Sequence, residues 1–321
     1  MLPLESQPEG SHVMVCVFAD PLFEKHRTGY HPECPERVQN TVRYLEAIPW
    51  FTKLPRGRIV AAHDQWILRT HSERMLEQTR ELCAAGGGHL DPDTFVSPDS
   101  FQVALHAAGS AIAAVDRVLS GPDASAFCLI RPPGHHATPT ESMGFCIFNN
   151  VAIAAHYARD VHHLDRVLIV DFDVHHGNGT QDIFYDDPAV HFLSIHRYPF
   201  YPGTGHESET GTGAGLGATR NIPVSFGTSR ARYHELFRQG LEASIQQNQP
   251  QLIMISAGFD AHKDDPIGSL GLDIEDFEIM TRTVQEAADA HCNGRIVSCL
   301  EGGYNLDKLP LLVAAHLKNL R

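Results

Sequence analysis

Asp171-Phe172-Asp173-Val174-His175-His176-Gly177-Asn178-Gly179 follows directly on the apolar segment Val167-Leu168-Ile169-Val170. In an extended chain alternate side chains project to one side, so Asp171, Asp173 and His175 leave that segment together. Carboxylates and an imidazole suit a divalent ion such as zinc, provided a further ligand arrives from elsewhere. Leu252-Ile253-Met254-Ile255-Ser256 runs into Ala257-Gly258-Phe259-Asp260 and offers that ligand at a second strand end. The expectation is a metalloenzyme.

Two further clusters carry chemistry. Arg131-Pro132-Pro133-Gly134-His135-His136-Ala137 sets adjacent imidazoles on a stiff loop. Histidine titrates near neutrality and suits proton transfer to and from an activated water. Glu301-Gly302-Gly303-Tyr304 follows an apolar run, its glycines permit an abrupt turn, and Tyr304 can then donate to an oxygen that gains negative charge. Other groups weigh less. His162-His163 reads as surface in a chain with 21 histidines. Gly211, Gly213, Gly215 and Gly217 follow a polar loop and fail the register of a dinucleotide fingerprint, so they read as a flexible loop.

These clusters need a frame to bring them together. Strands are expected over Val13 to Phe18, Phe127 to Ile130, Val167 to Asp171, Val190 to Ile195, Leu252 to Ser256 and Ile296 to Leu300. Helical stripes are Val38, Val42 and Leu45; Leu105, Ala108, Ile112, Val115 and Leu119; Tyr233, Leu236, Phe237 and Leu241; and Ile274, Phe277, Met280 and Val284. Long loops are expected at Thr52 to Arg58, Gly86 to Ser100, Arg131 to Asn149 and Tyr198 to Thr219. Alternation of strand and helix points to an α/β fold: a single three-layer αβα domain with a central, mainly parallel sheet. It occupies residues 13–321 behind a loose lead-in over residues 1–12. The polar clusters then fall beyond the carboxyl ends of the strands, where such sheets place ligands.

Composition narrows the function classes. The chain has 321 residues, 42% hydrophobic and 20% charged, with a formal net charge of −14. That charge argues against direct nucleic-acid binding and is compatible with cationic substrates. The seven cysteines are scattered and never spaced C-x-x-C, which reads as reduced thiols rather than disulfides or a zinc finger. With no uninterrupted apolar span and no basic-then-apolar start, the expectation is a cytoplasmic protein away from membranes. An oligomer is compatible with the sequence.

Taken together the residues resemble the zinc-dependent histone deacetylases and their bacterial relatives, the histone deacetylase-like amidohydrolases, acetylpolyamine amidohydrolases and acetoin-utilisation proteins. The resemblance runs through His31-Pro32-Glu33-Cys34-Pro35-Glu36-Arg37, Arg131 to Ala137, Gly144-Phe145-Cys146, Asp171 to Gly179, Ser194-Ile195-His196-Arg197, Pro202-Gly203-Thr204-Gly205, Gly258-Phe259-Asp260 and Glu301 to Tyr304. It covers nearly the whole chain. Asn178 and His196-Arg197-Tyr198 resemble class II more than class I.

The resemblance implies that Asp173, His175 and Asp260 bind the metal, with zinc or iron(II) suiting the set. It implies His136 as general base, His135 as its partner held by Asp171, and Tyr304 at the oxyanion. Asn178 would face His136 where some relatives carry Asp, leaving His136 the less basic of the pair. Phe145, Gly144 and Tyr201 would wall a narrow tunnel, Ile267 would stand at its rim, and Arg37 would lie near an internal acetate exit. A potassium site is implied around Asp171, Asp173 and His175 with Ser194 nearby. Apolar Ile267, where polyamine enzymes favour an acid, tilts the expected substrate toward acyl-lysine peptides or proteins, with small acylated amines such as acetylpolyamines second. An arginase-like dimanganese enzyme would need bridging carboxylates that Phe172, Val174 and Asn178 do not supply. A non-catalytic acyl-lysine binding module is the alternative outside enzymes.

Overall fold

Runs without polar alternation become the strands of a buried parallel sheet, as a sheet covered on both faces requires. The computed structural model describes residues 15–320, so the expected lead-in over residues 1–12 and the start of the strand expected from Val13 lie outside the described residues. The strands are β1 (Cys16–Phe18), β2 (Gly88–His89), β3 (Phe95–Val96), β4 (Ser125–Cys128), β5 (Val167–Asp171), β6 (Val190–Arg197), β7 (Thr219–Val224), β8 (Leu252–Ala257) and β9 (Ile296–Leu300). Seven form one sheet ordered β1-β4-β9-β8-β5-β6-β7. Every neighbouring pair in it is parallel. β2 and β3 make a separate antiparallel pair.

Two groups of helices flank this sheet. α4 (Ser100–Ser120) packs on α5 (Asn150–His162), with α2 (Asp64–Leu68), α3 (Glu73–Ala84) and α6 (Asn178–Phe184) around them. α1 (Glu36–Glu46), α9 (Leu309–Asn319), α8 (Ile274–His291) and α7 (Arg230–Asn248) pack in succession. The expected stripes face inward: Val38, Leu45, Val115, Phe237, Leu241, Phe277, Met280 and Val284 are all in the main core. Leu105, Ala108 and Ile112 join a second cluster with Ile147, Phe148 and Ile153. Although no apolar span was expected, α4 is long and apolar enough to cross a membrane by length and composition, but much of it is buried inside the fold.

Three differences from the expected elements have physical causes. β7 starts at Thr219, the last residue of the stretch read as loop, and continues through residues given no element, because Thr219-Arg220-Asn221-Ile222-Pro223-Val224 is polar and carries a proline. It is an edge strand, where a missing N–H is tolerated. β2 and β3 lie inside the expected loop from Gly86 to Ser100 and are too short to leave a periodic trace. β4 begins at Ser125 and ends at Cys128, two residues earlier than read, while the Leu129 N–H still reaches the Phe18 carbonyl at 2.9 Å.

Register sets up the site. Asp171 pairs with Ser256 across β5 and β8, and Ala257 with Leu300 across β8 and β9. The chain leaving each strand therefore starts from one edge of the sheet, with Asp171–His175, Gly258–Asp260 and Glu301–Tyr304 side by side. All seven cysteines are free and buried.

Candidate metal and catalytic site

The loops beyond β5 and β8 bring Asp173, His175 and Asp260 together, with one ligand atom from each within 4.8 Å of the others. His175 Nδ1 lies 3.0 Å from Asp173 Oδ1 and 3.1 Å from Asp260 Oδ2. The other carboxylate oxygens are already held by backbone: Val174 N–H donates to Asp260 Oδ1 at 2.8 Å and Gly302 N–H to Asp173 Oδ2 at 2.8 Å. Asp260 Oδ2 is buried without a hydrogen-bond partner. Its near polar neighbour is the His175 imidazole, and a buried carboxylate oxygen left this poorly satisfied gains from a cation beside it. Backbone comes so close here that a Cβ on Gly302 would sit 2.2 Å from Asp260 Oδ2 and 2.5 Å from Asp173 Oδ2. These residues fit a divalent ion.

The charges agree. Burial, then Asp173, pushes the Asp260 carboxyl up to about 7. Burial works against a charged His175, but Asp173 and Asp260 outweigh it and raise the imidazole to about 9. Protons thus occupy the place of positive charge, and a bound dication would displace them.

The histidine pair lies next to this group. Both rings are buried, their centroids 4.0 Å apart. His135 Nδ1 is 3.0 Å from Asp171 Oδ2, whereas His136 Nδ1 is 2.7 Å from Asn178 Oδ1. The two environments drive the imidazoles apart. Burial opposes charge on His135, yet Asp171 and Asp173 prevail and raise it to about 10. For His136 burial is joined by repulsion from His135 and His175, which holds it well below the ordinary value. Asn178 Nδ2 donates to Met143 Sδ at 3.4 Å, so its oxygen faces the imidazole. His136 Nδ1–H therefore donates to it, and Nε2 keeps a free lone pair.

Aromatic rings surround the pair. Tyr201 stands edge-on to His136 at 5.1 Å, and Phe145 is perpendicular to Tyr304 at 5.7 Å. Phe145 holds φ +69°, uncommon for a bulky residue. Its N–H donates to Thr94 Oγ1 at 3.0 Å, and the Gly144 N–H donates to Asp93 Oδ1 at 3.1 Å. Gly144, at φ +57°, lies against His136, where a Cβ would come within 2.5 Å of the ring. Tyr201 and Ile267 are each 37% exposed.

Arg37 is buried beneath Tyr304, its guanidinium 4.9 Å from the ring centroid. It donates to the carbonyls of Gly303 (2.7 Å) and Glu301, and to Glu33 Oε1 at 3.2 Å. Ser194 Oγ meets His196 Nδ1 at 2.9 Å and sits opposite Asp171 in register. Lys263, in the loop ahead of Ile267, pairs with Asp273. His162 meets Asp116 at 2.7 Å on the surface.

Sequence reasoning gave no role to several residues that shape the site. Asp265 accepts from the N–H groups of Tyr304 (2.7 Å), Ile267 (2.9 Å) and Gly268 (3.0 Å). Glu301 Oε2 accepts from Gly134 N–H at 2.7 Å and His135 N–H at 3.1 Å, fixing the histidine turn. Glu33 forms a paired contact with Arg131 at 2.5 and 2.7 Å. Phe200 stacks on His175 at 5.2 Å. Glu301 and Glu33 belong to motifs already singled out, so their proximity to the clusters was the available signal.

Known proteins resemble this chain over most of its length. The histone deacetylase domain model matches residues 31–320. The chain is 37% identical to a histone deacetylase-like amidohydrolase of Pseudomonas aeruginosa, over 90% of this chain and 77% of the relative. It is 40% identical to a probable deacetylase of Archaeoglobus fulgidus, over 91% of this chain and 81% of the relative. The solved HDA15 HD domain superposes with a TM-score of 0.90 at 31% identity, covering 96% of this chain and 88% of that one. The chain belongs to the histone deacetylase domain family and is a histone deacetylase-like deacetylase or amidohydrolase.

Proposed function

We propose that the protein is a zinc-dependent deacylase that hydrolyses the amide of acyl-lysine in peptides or proteins. The observation that carries the reading is the split histidine pair, Asp171 on one imidazole and Asn178 on the other, beside Asp173, His175 and Asp260. Zinc held by those three residues would polarise the acyl carbonyl and acidify a water.

The chain's own residues do the rest. His136 Nε2 takes the proton of the attacking water and passes it to the departing amine nitrogen. His135, kept cationic by Asp171 and Asp173, offsets negative charge at the reacting centre. Burial holds the Tyr304 phenol well above its ordinary range, so it stays protonated and donates to the carbonyl oxygen as charge gathers there. Phe145 and Tyr201 favour the neutral, apolar stem of an acylated lysine.

The test is release of free amine from paired acetyl-lysine peptide and acetylpolyamine substrates with zinc-loaded protein. Peptide turnover that disappears in Asp260→Ala supports the reading. Preference for the polyamine would move the substrate to small acylated amines, and silence on both would favour a binding module.

A further inference from the structure

A second group of ligand atoms includes one histidine of the pair. His135, Cys146 and Glu301 each offer one atom within 4.8 Å of the others, and all are buried. The group shares no ligand with Asp173, His175 and Asp260, although His135 Nε2 lies 3.9 Å from Asp173 Oδ1. Its outward bonds leave capacity. Glu301 spends Oε2 on backbone N–H groups, while Oε1 is buried without a partner. Cys146 Sγ takes a 3.4 Å bond from His136 N–H. His135 gives Nδ1 to Asp171 and keeps Nε2.

Sulfur, imidazole and carboxylate together are the donor set of a tetrahedral zinc-type site with one open position. The first group contains no sulfur, so a thiophilic cation distinguishes the two.

We propose that His135, Cys146 and Glu301 form a second, inhibitory site for a thiophilic divalent cation, filled after the first. On binding, the Cys146 S–H bond breaks, a sulfur–metal bond forms and the thiol proton leaves to solvent. Any proton on the His135 nitrogen that binds leaves in the same way. An imidazole so occupied no longer carries charge for catalysis, so turnover falls without competition from substrate. The site depends only on the three side chains and is independent of which acyl amine is cleaved.

The experiment titrates cadmium into full-length protein already holding one equivalent of zinc, recording ultraviolet thiolate-to-cadmium charge-transfer absorption alongside amine release. The expected result is an absorption that saturates at one further equivalent, with turnover falling about a hundredfold or more, in line with the contribution of an acid–base group. Cys146→Ser, which keeps an acceptor for the His136 N–H, should lose the absorption. Cys128→Ser should keep it, excluding the Cys128 and Cys299 thiols that face each other across β4 and β9. Should Cys146→Ser fail to fold, Glu301→Gln is the second variant, expected to weaken the second cadmium about tenfold or more. No charge-transfer absorption in active protein overturns this site and leaves deacylation standing, as does absorption that persists in Cys146→Ser. Absorption with no turnover in any metal state overturns deacylation and leaves this site.

Discussion

Asp265 holds the Tyr304 backbone N–H at 2.7 Å with the same carboxylate that caps the rim turn at Ile267 and Gly268. Phenol and rim are thus referenced to one buried group. Asn keeps one acceptor, which can stay with the Ile267 and Gly268 N–H groups, and sets its NH2 against the Tyr304 N–H, which should release the phenol turn. We expect kcat of Asp265→Asn to fall about tenfold to a hundredfold, consistent with a displaced oxyanion donor, while the metal stays bound. Steady-state kinetics with metal analysis checks this; an unchanged kcat sinks the clamp.

Tyr304→Phe removes only the phenol oxygen. The loss should be about 10²–10³ in kcat, the range for one oxyanion donor, with little change in KM. A variant turning over like the parent removes Tyr304 from the chemistry.

Asn178→Asp places a carboxylate where an amide now meets His136. The imidazole, held well below its ordinary range by burial, His135 and His175, should then rise. Because the base works when neutral, the acidic limb of kcat/KM should move to higher pH by about one unit or more. A limb that stays in place would show that His136 is not the group it reports.

Metal affinity should increase with pH. In the metal-free site Asp260 is raised to about 7 and His175 to about 9, so both carry protons that an incoming cation must displace. Each proton released adds about tenfold in affinity per pH unit while its group is protonated, so binding should strengthen from below pH 7 to about 9 and then level. Competition with a chelator across that range measures it, and a flat profile would contradict the proton count.

Ile267→Glu puts an acid at the exposed rim. Attraction to a cationic tail should raise kcat/KM for an acetylpolyamine about tenfold relative to a neutral acetyl-lysine peptide at low salt, and added salt should erase the gain. Parallel changes on both substrates would place Ile267 away from the substrate's path.

The parts legible from sequence share a location. Asp171, Asp173, His175, Asp260 and Tyr304 follow apolar strands within a few residues, so knowing the strands places them on one edge. Adjacent His135 and His136 were harder, since extended neighbours point apart; the turn held by Glu301 aims them together. Asp265, Glu33 and Cys146 gain their importance from partners remote in sequence, which no local pattern reports. Glu33 meets Arg131 across 98 positions of chain. β7 escaped notice because an edge strand can be polar and carry Pro223.

The sheet order has a consequence for how the molecule comes into being. β9 lies between β4 and β8, so it alone joins the β1–β4 pair to the β8-β5-β6-β7 block. A ribosome releasing this chain has delivered Asp173, His175 and Asp260 before the strand that unites the two half-sheets emerges. Glu301 and Tyr304 arrive immediately behind that strand, and they respectively brace the histidine turn and furnish the phenol. The proposed chemistry thus waits for the frame to close, an order of assembly written into strand position.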